Sequence, residues 1–291
     1  ISVDPGSGSG GIAQVELSGT AGAANRTFDV AAGGTLTVSA LIADGAATPG
    51  SLTKAGTGTL VLSGANTYTG TTNANAGVLQ LSGGATILDT AGVVNVGLGG
   101  TLQLLANETV SSYSGAGDIG AGTNDSTLAL GAFTLTTTGA AALGNVTGSA
   151  GAAIVAGTNI SDADDDNNIT SPNIALMAAT GIGTSGNPLE TTVANLEASG
   201  GSGGVFLANS GDLVIGGVSA LVGVSATGSA ISVSAAGSLT VNEAVAGTGA
   251  VTNVALSTID ASTAGQNLIL GAAVSSVGAV TLSAGDNATL S

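Results

Sequence analysis

Apolar and polar residues alternate in short triplets along the whole chain. Each triplet places two apolar side chains on one face of a short strand. Gly, Asn, Ser and Asp fill the intervals and supply turns, while no convincing window has apolar residues at helical spacing. The pattern therefore predicts an all-β protein. The triplets begin at Phe28, Leu36, Leu60, Leu79, Leu102, Leu128, Ile174, Val205, Leu213, Ile231, Leu239, Leu268 and Val280.

Two neighbouring stretches repeat each other at a constant shift. Val205 aligns with Ile231 and Leu213 with Leu239, a shift of 26 residues within residues 203–255. A fixed period of this size is typical of repeat architectures. Two strands, a corner marked by glycine and a longer return form one coil, and stacked coils share backbone hydrogen bonds at about 4.8 Å per coil. The repeat therefore predicts a solenoid.

Composition agrees with a long and narrow core. The chain has 291 residues, of which 50 are glycine, and only 2% are aromatic. Small residues fit tight corners between stacked coils, and neighbouring coils rather than bulky side chains hold each segment folded. We therefore expect a single elongated parallel β-helix over residues 12–291. Residues 1–11, rich in Gly and Ser, are predicted to be a flexible tail.

The charge balance excludes several classes of partner. The chain has 18 acidic and only 2 basic residues, which gives a formal net charge of −16. Binding to nucleic acid or to an anionic membrane surface depends on Lys and Arg, so neither partner is expected. No unbroken apolar run reaches the length of a membrane helix, and insertion of this segment into a membrane is therefore not predicted either.

Residues 52–84 have the appearance of a known repeat. They read "LTKAGTGTLVLSGANTYTGTTNANAGVLQLSGG" and closely resemble the passenger-associated repeat of bacterial autotransporters. Towards the other end, "GSLTVNEAV" and "GAVTLSAGDNATLS" resemble the looser repeats of filamentous-haemagglutinin-like bacterial surface proteins. The resemblance implies a right-handed parallel β-helix exported to the cell surface, and it implies no particular ligand.

Residues that commonly carry catalysis are scarce. The chain contains no His and no Cys, which excludes Ser-His-Asp and Cys-His arrangements. A polysaccharide lyase on a β-helix would need Lys54 or Arg26, and Lys54 occupies a motif position of the repeat, where a structural role is expected. A pair of carboxylates for glycoside hydrolysis is left open by composition, although Trp is absent. We therefore predict that the chain is not an enzyme.

The acidic segment "SDADDDNNIT", residues 161–170, is the sharpest local signal. Asp162, Asp164 and Asp166 stand at alternate positions, and Asn168 follows. This spacing resembles the first half of an EF-hand-like loop, in which alternate side chains converge on Ca²⁺. An asparagine stands where a bidentate glutamate is expected. We predict that these four residues bind Ca²⁺, and a solvated acidic turn between two coils is the alternative.

Three functions are compatible with these features. The first is an exported structural or adhesive β-helix on the bacterial surface, a segment of an adhesin that meets a host or matrix protein or glycan. The second is the protomer of an extracellular filament or sheath. The third, and the least favoured, is an enzyme that acts on polysaccharides.

The two ends of the chain bear on the choice between adhesin and filament. The last residues keep the strand pattern up to Ser291, and the short strand "ISV" at the start is followed by a Gly/Ser tether. An open strand edge invites another chain, so the tethered strand is predicted to pair with a neighbouring molecule, head to tail. Continuation of the coils in a larger chain is the alternative.

Overall fold

The structure is a computed structural model that describes eleven stretches of the chain. These stretches are residues 3–4, 14–17, 25–44, 49–82, 93–105, 108–110, 112–115, 127–163, 167–249, 252–260 and 264–291. Every regular element within them is a strand, and they contain no helix that is long and apolar enough to cross a membrane. The all-β prediction from the alternating triplets is confirmed.

Most strands are three to five residues long, as the triplets predict. In chain order they are β1 (Val3–Asp4), β2 (Gln14–Glu16), β3 (Asn25–Asp29), β4 (Thr35–Val38), β5 (Leu41–Ala43), β6 (Ser51–Ala55), β7 (Thr59–Leu62), β8 (Thr72–Ala74), β9 (Gly77–Leu81), β10 (Val93–Val96), β11 (Gly100–Leu104), β12 (Glu108–Val110), β13 (Ser112–Gly115), β14 (Thr127–Gly131), β15 (Thr134–Thr137), β16 (Ala141–Leu143), β17 (Asn145–Gly148), β18 (Ala152–Ala156), β19 (Asn159–Asp162), β20 (Ile169–Ala178), β21 (Gly181–Ile182), β22 (Leu189–Gly200), β23 (Gly204–Asn209), β24 (Leu213–Ile215), β25 (Val224–Ala226), β26 (Ile231–Ala235), β27 (Leu239–Val241), β28 (Val245–Gly247), β29 (Val254–Thr258), β30 (Leu268–Leu270), β31 (Val274–Ser276), β32 (Val280–Ser283) and β33 (Ala288–Leu290).

Parallel pairing between successive coils joins thirty of these strands into one sheet. One ladder runs from β3 through β6, β8, β10, β13, β16, β19, β21, β23, β26 and β29 to β32. A second ladder starts with β4, β7 and β9, and a third with β12, β15 and β18. The long strands β20 and β22 continue round the corner between the second and third ladders. The result is a parallel β-solenoid of about ten turns, which confirms the predicted architecture.

The predicted 26-residue shift is observed as strand register. Val205 pairs with Ile231 and Leu213 with Leu239, in parallel. The next coil on the first ladder is offset by 23 residues, because Ile231 pairs with Val254. The inward-facing register is therefore kept from coil to coil, while the length of the connections varies.

The core is a narrow column of aliphatic side chains that runs through the coils. Leu52 and Leu60 of one coil, and Leu79 and Leu102 of the next two coils, are fully buried. Burying a leucine side chain contributes about 1.5–3 kcal/mol relative to leaving it exposed. Because each short strand provides only one or two such side chains, the stability of a coil depends on the coils above and below it.

Polar side chains on the outer surface form ladders between coils. The Gln80 amide donates to Gln103 at 2.8 Å, and the Asn95 amide donates to Asn73 at 3.2 Å. Identical amides in register can bond in this way without accumulating charge. The small number of charged residues on this fold follows from the same geometry, since a stacked row of like charges would repel.

The N-terminal strand differs from its predicted role. Val3 of β1 pairs antiparallel with Val15 of β2, and β2 pairs in parallel with β5 of the same chain. The predicted tail thus contains a short strand, and that strand is paired within its own chain rather than held free for a neighbouring molecule. Head-to-tail association remains a prediction, but the structure gives no support to strand donation as its route.

The final strands expose apolar side chains that continue the core column. Val280 is 42% exposed, Leu282 38% and Leu290 71%, whereas Leu256, which pairs with Leu282, is buried. Either a further coil of a longer chain or a second molecule would cover this surface.

Substitution of two glycines tests how closely the coils approach each other. Gly33 and Gly56 share a φ of +71°, but a Cβ at Gly33 meets no atom within 4 Å, whereas a Cβ at Gly56 would lie 2.3 Å from the Val30 carbonyl oxygen. We expect Gly33→Ala to cost about 1–2 kcal/mol through the left-handed backbone alone, and Gly56→Ala to cost clearly more. Urea unfolding followed by circular dichroism measures both, and equal losses would contradict the close packing of the coils.

Candidate functional site

Lys54 lies inside the repeat segment and is fully buried. Its ammonium group donates to the carbonyl oxygens of Ala55 at 2.7 Å, Gly56 at 2.6 Å and Ala76 at 3.1 Å. Loss of hydration lowers the pKa of Lys54 below its ordinary value, and the nearby Asp29 carboxylate opposes this shift in part. All three ammonium donors can thus be used within the fold, and the predicted structural role of this lysine is supported by its contacts.

The "SGANTYTG" part of the repeat forms a corner that is hydrogen-bonded to the preceding coil. The Asn66 side chain is buried, and its amide oxygen accepts from the backbone of Ile42 at 3.1 Å. Tyr68, also buried, shares a hydrogen bond of 2.7 Å with the hydroxyl of Thr72. The conspicuous polar residues of the motif therefore satisfy buried backbone and side-chain groups, which is a structural function.

The predicted Ca²⁺ ligands fall on both sides of an undescribed interval. Asp164 and Asp166 lie outside the described residues, whereas Asp162 and Asn168 lie within them. The Asn168 amide is buried and donates to Asp162 at 2.6 Å, and its oxygen accepts from the backbone of Glu190 at 3.0 Å. The Asn168 amide also donates to the carbonyl oxygen of Leu143 in the preceding coil at 3.2 Å, so both ends of this amide join coils. Calcium binding remains a prediction that depends mainly on the three aspartates.

The described residues contain no group of three His, Cys, Asp or Glu side chains placed to hold a metal ion. Asp164 and Asp166 lie outside the described residues, so a metal site in the acidic segment stays a prediction.

Carboxylates that bind the backbone of coil corners have a role that the sequence did not reveal. In the described part of the chain, five of them accept backbone N–H groups about one coil away: Asp44, Glu197, Asp212, Glu243 and Asp286. Asp44, for example, accepts from the backbone and the hydroxyl of Thr69 at 3.0 and 2.6 Å and from Gly50 at 2.7 Å. Such charge-assisted bonds are stronger than neutral ones. No linear spacing marks these residues, because each partner lies one coil away.

The four surface hollows described next contain few side chains that could take part in a reaction. These hollows, of about 290 to 420 Å³, are shallow and lined mainly by small apolar and hydroxyl side chains. Glu190 is the one ionisable residue that lines any of these four, so none of them presents the pair of carboxylates that glycoside hydrolysis requires. Their chemistry suits contact with another surface better than bond cleavage.

Comparison with known families agrees with this geometry. Residues 52–81 match the family described as Passenger-associated-transport-repeat. The match covers thirty residues, which form the four strands β6 to β9. No curated protein and no solved structure showed a significant match. The matched repeat and the stacked coils together identify a β-helix that resembles an autotransporter passenger.

The burial of Lys54 predicts a pH dependence of stability. Between its lowered pKa in the folded chain and the ordinary value of 10.5, the unfolded chain holds a proton that the folded chain has lost. Unfolding then takes up a proton, so the free energy of unfolding should rise with pH in this range. In Lys54→Met this contribution is absent, and three carbonyl oxygens lose a donor, at a cost of about 1–3 kcal/mol at neutral pH.

Urea unfolding of both proteins from pH 7 to pH 10 provides the measurement. The stability of the wild type relative to Lys54→Met should increase as the pH rises. If the difference in stability between the two proteins stays constant or shrinks as the pH rises, burial does not lower the pKa of Lys54. Because the two tyrosines and all carboxylates are common to both proteins, their titration largely cancels in the comparison.

Proposed function

We propose that this chain is an exported β-helix that is displayed at the bacterial cell surface as a segment of an adhesin. The observation that carries the proposal is the match to the passenger-associated repeat at residues 52–81. Within this repeat, Lys54 and Asn66 form hydrogen bonds that join consecutive coils. The rest of the described chain repeats the same coil with other sequences. A rigid solenoid about 50 Å long, at 4.8 Å per coil, is suited to presenting side chains at a distance from a membrane.

The composition favours recognition over catalysis. The absence of His and Cys removes the commonest bases and nucleophiles, and the hollows described above contain one ionisable side chain. Binding, by contrast, needs a firm surface with few mobile groups, and the stacked coils provide a long one. The ligand proposed is therefore a macromolecule, a host or matrix protein or glycan, that contacts several coils at once.

A second candidate is the protomer of an extracellular filament, favoured by the exposed apolar side chains of β32 and β33. In such a filament, these strands would be covered by the first coil of the next molecule. A heterologous contact of this kind does not close on itself and builds an open fibre. Replacement of Leu290 by aspartate, used as a control below, separates this arrangement from other modes of association.

The adhesive role can be tested with the purified chain immobilised on beads. We expect beads coated with the folded protein to be retained several-fold more than albumin-coated beads on epithelial cell layers or on wells coated with matrix proteins and mucin. Retention should persist at high flow, because many weak contacts act together on one bead. Retention equal to that of albumin beads on every surface would contradict the adhesive role.

The predicted Ca²⁺ site has an independent test. Binding of Ca²⁺ to the native state raises stability by about 2.7 kcal/mol at a hundredfold excess over Kd, so the melting temperature should rise with Ca²⁺. The rise should disappear in Asp164→Asn/Asp166→Asn and persist in the control Asp260→Asn. A calorimetric titration of the wild type without heat, and without a shift in melting temperature, would leave the segment as a solvated acidic turn.

A further inference from the structure

One corner of the solenoid is longer than the fold requires. Residues 216–223, here called the arm, connect β24 to β25. In the next two coils, the equivalent strands are connected by three residues each, 242–244 between β27 and β28 and 271–273 between β30 and β31. Three residues therefore suffice to close this corner. The five additional residues of the arm are not explained by the need to connect the strands.

The arm is held in a defined shape by a buried carboxylate. Glu197 lies on β22 in register with Ala175 of the preceding coil, at an outward-facing position, yet it is fully buried. Its oxygens accept from the backbone of Val218 at 2.8 Å and from the backbone and hydroxyl of Ser219 at 2.9 and 2.5 Å. The arm thus folds back over the outer face of the third ladder, and its own backbone covers the carboxylate.

A second carboxylate fixes the two ends of the arm. Glu243, from the next coil, accepts from the backbone of Gly217 at 3.1 Å and of Gly223 at 2.8 Å. Gly216 has a φ of +116°, and a Cβ at this position would lie 2.6 Å from the Glu243 side chain. The arm is therefore an ordered feature rather than a loose loop. Five hydrogen bonds join it to two carboxylates, and Gly216 leaves the space that the Glu243 side chain occupies.

The ordered arm presents apolar groups to solvent and forms one wall of a groove. The opposite wall is the outer face of β18 and β20. The groove, of about 410 Å³, is lined by Thr134, Ala153, Val155, Ala175 and Met177 of the strands and by Ser219, Ala220 and Leu221 of the arm. Val155 and Met177 also line an adjoining hollow of about 420 Å³ that includes Ser199 and Thr227, so the two form one uncharged and mainly apolar depression.

Two apolar side chains of this surface are exposed to solvent. Met177 is 42% exposed and Val222 65%, and Ser199, which pairs with Met177 in the outward row, lines the adjoining hollow. Exposed apolar side chains that line a shared depression are candidates for a site of association. The arm adds Leu221 and Val222 at a corner that Asn-Glu-Ala, without a large apolar side chain, closes in the next coil.

We propose that the arm and its groove form a lateral self-association surface, and that the occupant is a second copy of this chain. The argument rests first on charge. No charged residue lines the groove or the adjoining hollow, and Glu197 and Glu243 are occupied by the arm. A chain with 18 acidic and 2 basic residues repels its own copies elsewhere, because Lys54 is buried and only Arg26 remains to pair with a carboxylate. Two copies can come into contact at a neutral apolar surface because no like charges face each other there.

The shape of the surface is the second argument for a second copy. Leu221 and Val222 form the tip of the arm: Leu221 lines the depression together with Val155 and Met177, and Val222 is 65% exposed. A two-fold arrangement would place the tip of each copy in the depression of the other, so that the same residues serve as both halves of an isologous contact. A cationic partner would gain nothing from this neutral groove and would be attracted to the acidic faces instead.

Sedimentation of the 291-residue chain over a range of concentrations tests the proposal. We expect reversible dimers that become tighter as NaCl is raised from about 50 mM to 500 mM, because salt screens the repulsion between the two acidic molecules. Met177→Asp and Val222→Asp should each weaken the dimer by at least about tenfold. Replacing residues 216–223 with Asn-Glu-Ala, the connection of the next coil, should abolish it while the strand signal in circular dichroism is kept.

Two controls identify the surface. Leu98→Asp changes a comparably exposed residue, 50% accessible, on another coil, and Leu290→Asp changes the exposed final strand, so neither should affect the dimer. A chain that stays monomeric at all concentrations and salt levels would overturn the proposal. So would association that weakens with salt, that survives in Met177→Asp, Val222→Asp and the arm replacement, or that is lost in Leu290→Asp.

Discussion

The structure depends on one constraint, the parallel register between successive coils. Each strand is too short to form a core of its own, and an isolated hairpin of such strands is marginal in water. Stacking gives each coil backbone hydrogen bonds and a share of the apolar column. It also brings backbones very close: a Cβ at Gly157 would lie 2.0 Å from the carbonyl oxygen of Thr138, one coil before it. The abundance of glycine follows from this approach.

The same constraint decides what polar groups can do. A stacked backbone leaves donors and acceptors unpaired at the corners, where the strands end, and these must be satisfied when they are buried. Lys54 supplies donors to three carbonyl groups. The Asn209 amide accepts from Thr191 and Val193, and it donates to the carbonyl oxygen of Gly211, two residues further on. Glu197 performs the opposite task to Lys54 and accepts from N–H groups. With only two basic residues in the chain, carboxylates find backbone partners instead of ion pairs.

Much of the fold could be predicted from the sequence, and the limit is physical. Alternation gives the inward face of each strand directly, so the buried positions of Leu60, Leu79 and Leu102 follow from the triplets. The joining of two faces by β20 and β22 could not be predicted, because it depends on how the corner is closed and not on the period. The partners of Glu197 are a similar case. These partners lie about one coil away in sequence. Because the number of residues per coil varies, no local sequence pattern predicts which residues they are.

The variable connections are also where a solenoid can acquire a function. A strand in the interior of a ladder is bound to the coils before and after it, so a change in such a strand disturbs two neighbours. A corner has no such double restraint and tolerates insertion. The eight residues of the arm occupy a corner that three residues close elsewhere, and two glutamates from neighbouring coils hold them. An insertion that was merely tolerated would not need a buried carboxylate to define its shape. The specific support given to the arm, together with its exposed apolar tip, is therefore the strongest sign that this face of the protein meets another surface.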